Sequence, residues 1–316
     1  MIPGALESNV TGSSNDGRVG TTVTAGASIH TTGSWSTLIA SSSAVAAGVY
    51  IKVVGVGSSN VSSSMLMDIG TGTLGSETVL IPDLLVGYAG SDVSMGRTYF
   101  FPLAISSGTR ISARCQSVIS SDTAEVAIWL AQDIQHLEGS PSVVSIGEVT
   151  ASSKGTVVAS GTNQWTTWTN IGSVSSDVNC LMPGVDASPD TVIPAADDQW
   201  LLKLGYGTSA PGSGGTEIDA VWYFATTGNE EVRGVFPNTP IYADIPSGDN
   251  IYVNLNGNDS GEVKTVVVHA MECPVRGGSV VVPSDTLRQS ITIQSSGTSD
   301  ITVSQDSSKP ALKITP

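Results

Sequence analysis

The sequence predicts an all-β protein made of two related antiparallel sandwiches in tandem, with an extended N-terminal arm and a short β tail. Three observations predict it. The 316 residues include 35 Gly and 15 Pro scattered among Ser-, Thr- and Val-rich runs, and clusters of strong helix formers are few. The apolar runs are strand-sized and bounded by Gly, Ser and Asn, the punctuation of antiparallel sheets. One ordered series of short motifs occurs twice.

Residues 1–20 read as a polar arm, with Ser13-Ser14-Asn15-Asp16-Gly17 at its centre and no helical or strand period. From residue 21, runs at 35–39, 49–56, 65–69, 78–81, 99–105, 110–115 and 125–130 supply the strands of a first sandwich, residues 21–132. The repeat then places a second. Ile105-Ser106-Ser107-Gly108-Thr109-Arg110-Ile111 returns 140 residues later as Ile245-Pro246-Ser247-Gly248-Asp249-Asn250-Ile251. Val126, Ile128 and Leu130 match Val266, Val268 and Ala270 at the same offset, as Ser76-Glu77 matches Thr216-Glu217. Toward the N-terminus the offset falls to 135 for Asp68-Ile69-Gly70 against Lys203-Leu204-Gly205, and to 130 for Trp35 against Trp165. Loop insertions between duplicated units produce this collinear drift. The second sandwich is therefore expected over 155–273, joined by a linker at 133–154 around Pro141. In the tail, 274–316, Ile291-Thr292-Ile293, Ile301-Thr302-Val303 and Leu312-Lys313-Ile314 alternate strictly. A sheet that small has little to bury alone, so it is expected to dock on the second sandwich or pair with another copy.

Charge narrows the partners. Asp and Glu number 28 against 13 Lys and Arg, a formal net charge of −15 with no basic cluster. That surface repels phosphate backbones and anionic headgroups, so nucleic acid and membrane are excluded as partners. Cys115, Cys180 and Cys273 are odd in number and widely spaced, which predicts reduced, buried thiols. Met1-Ile2-Pro3-Gly4 lacks the features of a secretion signal, and the longest apolar stretch, 44–56, is interrupted by Gly48, Lys52 and Gly55. Synthesis in the cytoplasm is expected.

Candidate chemistry dissolves on inspection. Gly70-Thr71-Gly72-Thr73-Leu74-Gly75 fits the dinucleotide fingerprint, but the helix that would meet a pyrophosphate is replaced by β-prone residues and Pro82, so a turn is expected and no cofactor. Of the three histidines, His30 lies in a polar turn, His136 in the linker, and His269 at the position of Trp129 in the first repeat, which points to packing or a surface role. The acidic stretches 186–190, 197–198 and 256–262 have the composition of turns, so no metal or catalytic residue is assigned. Aromatics concentrate in the second unit as Trp165, Trp168, Trp200, Trp222 and Tyr223. Trp35 and Trp165 correspond and are expected in the cores, which leaves Trp168, Trp222 and Tyr223 as a candidate ligand or interface surface.

The series Met67-Asp68-Ile69-Gly70-Thr71-Gly72-Thr73-Leu74-Gly75-Ser76-Glu77, Leu80-Ile81-Pro82-Asp83-Leu84-Leu85-Val86-Gly87, Tyr99-Phe100-Phe101-Pro102-Leu103-Ala104-Ile105 and Gly108-Thr109-Arg110-Ile111-Ser112-Ala113-Arg114-Cys115-Gln116-Ser117 resembles a module of virion structural proteins of tailed bacteriophages. The second unit is similar only in outline, with Lys203 for Asp68 and Asn250 and Asn254 for Arg110 and Arg114. The resemblance implies jelly-roll-like sandwiches on the outside of a virion, as a head decoration protein or a tail or fibre component. It further implies a non-enzymatic role, other virion structural proteins as partners, and a homo-oligomer such as a trimer. A carbohydrate-binding adhesin that recognises a host-surface glycan is the alternative.

Overall fold

The computed structural model describes residues 5–10, 20–54, 64–86, 98–131, 143–186, 199–225, 233–236, 240–258 and 263–272. Most of these are strand, and among them only Thr150–Ser152 form a helical turn; among the described residues no helix is long and apolar enough to cross a membrane. Residues 133–142 of the expected linker, Cys273 of the expected second sandwich, and the whole expected tail with its three alternating runs lie outside the described residues.

The first unit contains β1 (Ala5–Ser8), β2 (Thr21–Thr24), β3 (Ser36–Ile39), β4 (Gly48–Val54), β5 (Met65–Thr71), β6 (Thr78–Val86), β7 (Thr98–Phe101), β8 (Ile111–Ser117) and β9 (Thr123–Ala131). One sheet runs β1-β9-β4-β7, with β2 also on β9, and the other runs β3-β8-β5-β6. The order β2-β9-β4-β7 over β3-β8-β5-β6 is that of an eight-stranded jelly roll. Period-two alternation sends Val49, Ile51 and Val53 of β4 and Val126, Ile128 and Leu130 of β9 into one core.

The second unit contains β10 (Val143–Ile146), β11 (Glu148–Val149), β12 (Lys154–Thr162), β13 (Thr169–Ser173), β14 (Val178–Asp186), β15 (Gln199–Gly207), β16 (Thr216–Ala225), β17 (Arg233–Phe236), β18 (Ile241–Ile245), β19 (Asn250–Gly257) and β20 (Val263–Met271). It repeats the order: β12-β20-β14-β18 on one side and β13-β19-β15-β16 on the other, with β17 added to β16 and β10 to β20. The two sheets connect because β12 pairs antiparallel with β20 through residues 156–159 and parallel with β19 through 160–162. The offsets seen in the sequence recur as strand register. Asp68 lies opposite Arg114, and Lys203 opposite Asn254; Thr21 lies opposite Val126, and Thr156 opposite Val266.

The arm and linker, expected to be irregular, contain strands. Ala5–Ser8 of the arm pairs with β9, and Val143–Ile146 of the linker pairs with β20. Both are short and have little pattern of their own; each is ordered because a partner strand already offers a free ladder.

The chain from Met1 to Gly277 forms one compact unit, and the reason lies in β20. Val266, Val268 and Ala270 enter the core of the second sandwich, whereas Met271 joins the core of the first and Val267 packs with Leu66 and Leu85 of the first. Strand β14 divides likewise: Leu181 and Val185 face one way, Cys180 and Met182 the other. The sheet holding β10, β20 and β14 thus closes the side of the first sandwich where β6 and β7 lie at the edges. A Cβ at Gly184 would stand 2.9 Å from the Tyr99 hydroxyl and 3.3 Å from the Leu85 Cβ, so this crossing needs glycine.

Because this layer belongs to both cores, the sandwiches are expected to unfold together. Met271→Ala should cost about 2–5 kcal/mol and lower a single calorimetric transition. Two resolved transitions, with only one displaced, would contradict the shared layer.

Candidate functional site

The structure separates the three residues assigned to a surface. Trp222 is 2% exposed and sits in the second core beside Trp200, so it offers no ring to a ligand; the expectation of a surface role for it is corrected. It fills the interior because β16 alternates, and position 222 lies opposite the buried Leu202. Trp168 is half-exposed between β12 and β13. Tyr223 lies on β16 opposite Leu201.

Trp35 and Trp165, expected in the cores, are instead half-buried platforms that carry cations. The Arg114 guanidinium lies 4.5 Å from the Trp35 ring centroid, and the Lys203 ammonium 4.6 Å from that of Trp165. Arg114 Nε also donates to Asp68 Oδ2 at 2.9 Å, while Lys203 Nζ donates to Glu217 Oε1 at 2.6 Å. Arg114 is on β8, whereas Lys203 is on β15, the counterpart of β5. The cation has changed strands between the repeats and still reaches the equivalent tryptophan. A Cβ at Gly70 would lie 2.6 Å from the Trp35 ring, which explains a glycine there. The rest of that glycine-rich motif forms the hairpin connection from β5 to β6, with Gly72 and Gly75 at positive φ.

The polar chemistry of the described residues concentrates in the seam between the sandwiches. Strand β6 bulges where Pro82 and Asp83 are inserted opposite Asp68, and Asp83 has φ +46° with its N–H donated to Asp68 Oδ1 at 3.1 Å. The bulge turns the Pro82 carbonyl toward the second sandwich, where the Ser145 hydroxyl donates to it at 2.5 Å. The same Ser145 oxygen is 2.9 Å from His269 Nδ1. Since the single hydroxyl proton goes to Pro82, Nδ1 must carry hydrogen and donate to Ser145. His269 Nε2 is then a bare lone pair, buried without a polar partner, and its ring meets Tyr99 and Phe101 edge-on at 6.0 and 5.7 Å. Farther along, His30 Nδ1 is 3.1 Å from Ser153 Oγ, and Gln116 Nε2 donates to the Thr150 carbonyl at 2.6 Å. Sequence reasoning placed His269 in a packing or surface role, and it serves in packing, but nothing in the sequence pairs it with Ser145 and Pro82.

Other reactive groups have similar settings. Burial, then the charges of Asp122 and Asp68, push the Cys115 thiol up to about 12, which removes its nucleophilic form at neutral pH. Asp177, Asp244 and Glu272 line an open groove at the ends of β14 and β18, with Asp177 Oδ1 accepting the Ser247 N–H at 2.8 Å. Among the described residues no cluster of His, Cys, Asp or Glu is arranged to hold a metal.

No family model matches the chain, and no curated protein matches it. Among solved structures it is similar to a chain of Sulfolobus Turreted Icosahedral Virus, at 9% identity and a TM-score of 0.35 over 85% of this chain and 91% of that one. It is also similar to the tandem CBM22-1-CBM22-2 domain of Paenibacillus barcinonensis Xyn10C, at 8% and 0.23 over 82% and 84%. A third likeness is to the stem and receptor-binding domain of spike protein P1 from bacteriophage PM2, at 10% and 0.22 over 83% and 100%.

The seam makes stability depend on pH in two opposing ways. Burial holds His269 down at about 3 against 6.5 in the unfolded chain. The unfolded state therefore binds the proton first, and stability falls by up to about 1.4 kcal/mol per unit as pH drops from 6.5 toward 3. Asp83 is raised to about 6 from 3.8 by burial and by the charges of Asp68 and Glu148, partly offset by Arg114. Here the folded state binds first, so stability rises as pH falls from 6 to 3.8, by a smaller slope because solvent screens this partly exposed group. Asp83→Asn keeps a residue that tolerates positive φ and removes only the second effect. Its melting temperature should fall more steeply than the parent's between pH 6 and 4; parallel curves would contradict the assignment.

Proposed function

We propose that the chain is a non-enzymatic structural component on the exterior of a tailed-phage virion, a capsid decoration or a tail or fibre protein, that acts through assembly contacts. The observation that carries this reading is the shared layer. Two jelly rolls locked by one sheet present their outer faces at a fixed spacing, which suits a part that must make the same contacts many times in a particle. The ordered series from Met67 to Ser117 that resembles tailed-phage virion proteins supports the same reading. Two groups of the kind that often carry catalysis have structural settings among the described residues: His269 is buried in the seam, and the Cys115 thiol is held protonated in a core.

A second reading, recognition of host-surface glycan, is favoured by the partly exposed Trp168 on the second unit. Gold labelling of intact, purified virions against this chain separates the two. The structural reading predicts labelling at a fixed site on head or tail, with a copy number matching that symmetry. Virions that lack the chain, together with retention of the purified protein on host cell-wall glycan that Trp168→Ala abolishes, would overturn it.

A further inference from the structure

Among the described residues, each half of the contact that locks the two sandwiches has an unpartnered counterpart on the other sandwich. In the seam, the second sandwich contributes the outer face of the β20 and β14 sheet, with Met182 opposite His269 and Gly184 opposite Val267. The same register positions in the first sandwich are Tyr50 opposite Trp129 and Lys52 opposite Ala127, on β4 and β9. Phe100 of β7 lies opposite Tyr50 on the other side, and the two rings are 4.5 Å apart. Trp129, Tyr50 and Phe100 thus form a row across three adjacent strands. Their neighbours Ile51, Ile128, Leu130 and Phe101 point into the core, so the row faces outward, and all three rings are half-exposed.

The other half of the contact also has a counterpart. The first sandwich contributes Leu66 opposite Leu85, both buried against Val267. The equivalent pair on the second sandwich is Leu201 opposite Tyr223, with Val221 at the position of Asp83. Leu201 is half-exposed and Val221 is 46% exposed. Where the first sandwich carries Asp83, its counterpart on the second is thus an apolar residue facing water.

We infer that the aromatic row of the first sandwich docks a second copy of this chain, which presents the β15–β16 surface around Leu201 and Val221, so that the internal seam is repeated between chains. The occupant is another copy because the two surfaces correspond, position for position, to two surfaces already joined within the molecule. An interface that pairs different patches on its two partners closes into a ring or extends as a filament, depending on the rotation between copies. The rings of Tyr50 and Trp129 stand where the seam has Met182 and His269, and their larger area serves a contact between chains, where no covalent connection holds the partners together. This deepens the assembly reading and rests on it only for its setting in a particle.

The test uses the full chain with Cys273→Ser. A Cβ at Gly184 lies 3.3 Å from the Leu85 Cβ in the internal seam, close to disulfide spacing; the corresponding positions between copies are Lys52 and Tyr223. Chains carrying Lys52→Cys and Tyr223→Cys are prepared separately, then mixed under mild oxidation. A mixed disulfide between the two species is expected, and Tyr50→Ser with Trp129→Ser should weaken self-association by sedimentation at least about tenfold while leaving the melting temperature of the monomer near the parent's. Chains that self-associate and are found in virions, yet give no mixed disulfide and ignore the serine pair, would overturn this interface and leave the assembly reading standing. A monomeric chain absent from virions would defeat both, and glycan binding lost in the serine pair without any self-association would show the row to be a sugar platform.

Discussion

Strand β20 has no solvent face, and the rest of the molecule is arranged around that constraint. In most antiparallel sandwiches a strand alternates between apolar and polar because one face is wet. Here Val266, Val268 and Ala270 fill one core while Val267 and Met271 reach the other, so the strand reads as an almost unbroken apolar run. The exceptions must be accommodated where they fall. His269 is accommodated by donating Nδ1–H to Ser145, whose hydroxyl in turn donates a hydrogen bond to the Pro82 carbonyl freed by the β6 bulge. A polar group buried without such a partner costs about 1–3 kcal/mol, and Nε2 accepts that cost in exchange for edge-on packing against Tyr99 and Phe101.

The two jelly rolls show how far a duplicated fold drifts while its register holds. The tryptophan of the β3 region keeps a cation over its ring in both copies, but the cation comes from β8 in one and from β15, the counterpart of β5, in the other. Glu77 pairs with Arg110, and its counterpart Glu217 pairs with Lys203. What persists is an arrangement of charge over an aromatic face, worth about 0.5–1 kcal/mol at exposed sites, rather than any residue pair. The same drift has changed the two outer faces: Met182 and His269 stand in the seam where Tyr50 and Trp129 stand on the first sandwich.

The fold class was legible because period-two alternation and turn residues act locally, and the repeat offsets of 140 and 135 reappear as strand register at Val266 and Lys203. Strands β1 and β10 were not legible, since four residues such as Ala5–Ser8 become a strand only when β9 offers its edge. The tryptophans were misjudged in both directions for one reason. Exposure of a large ring depends on which face of its strand it occupies and on what lies over that face, so Trp222 is interior while Trp35 and Trp165 are not. The seam was hidden because a strand buried twice and a strand of an ordinary core carry the same apolar letters.

Amide hydrogen exchange on the intact chain tests the shared layer most directly. Amides of β20 and β14 are expected to exchange only through global unfolding, with the same free energy as those of β9 in the first core. Exchange of β20 through a lower-energy opening that leaves β9 protected would show that the second sandwich comes apart on its own, and the account of a layer common to both cores would be wrong.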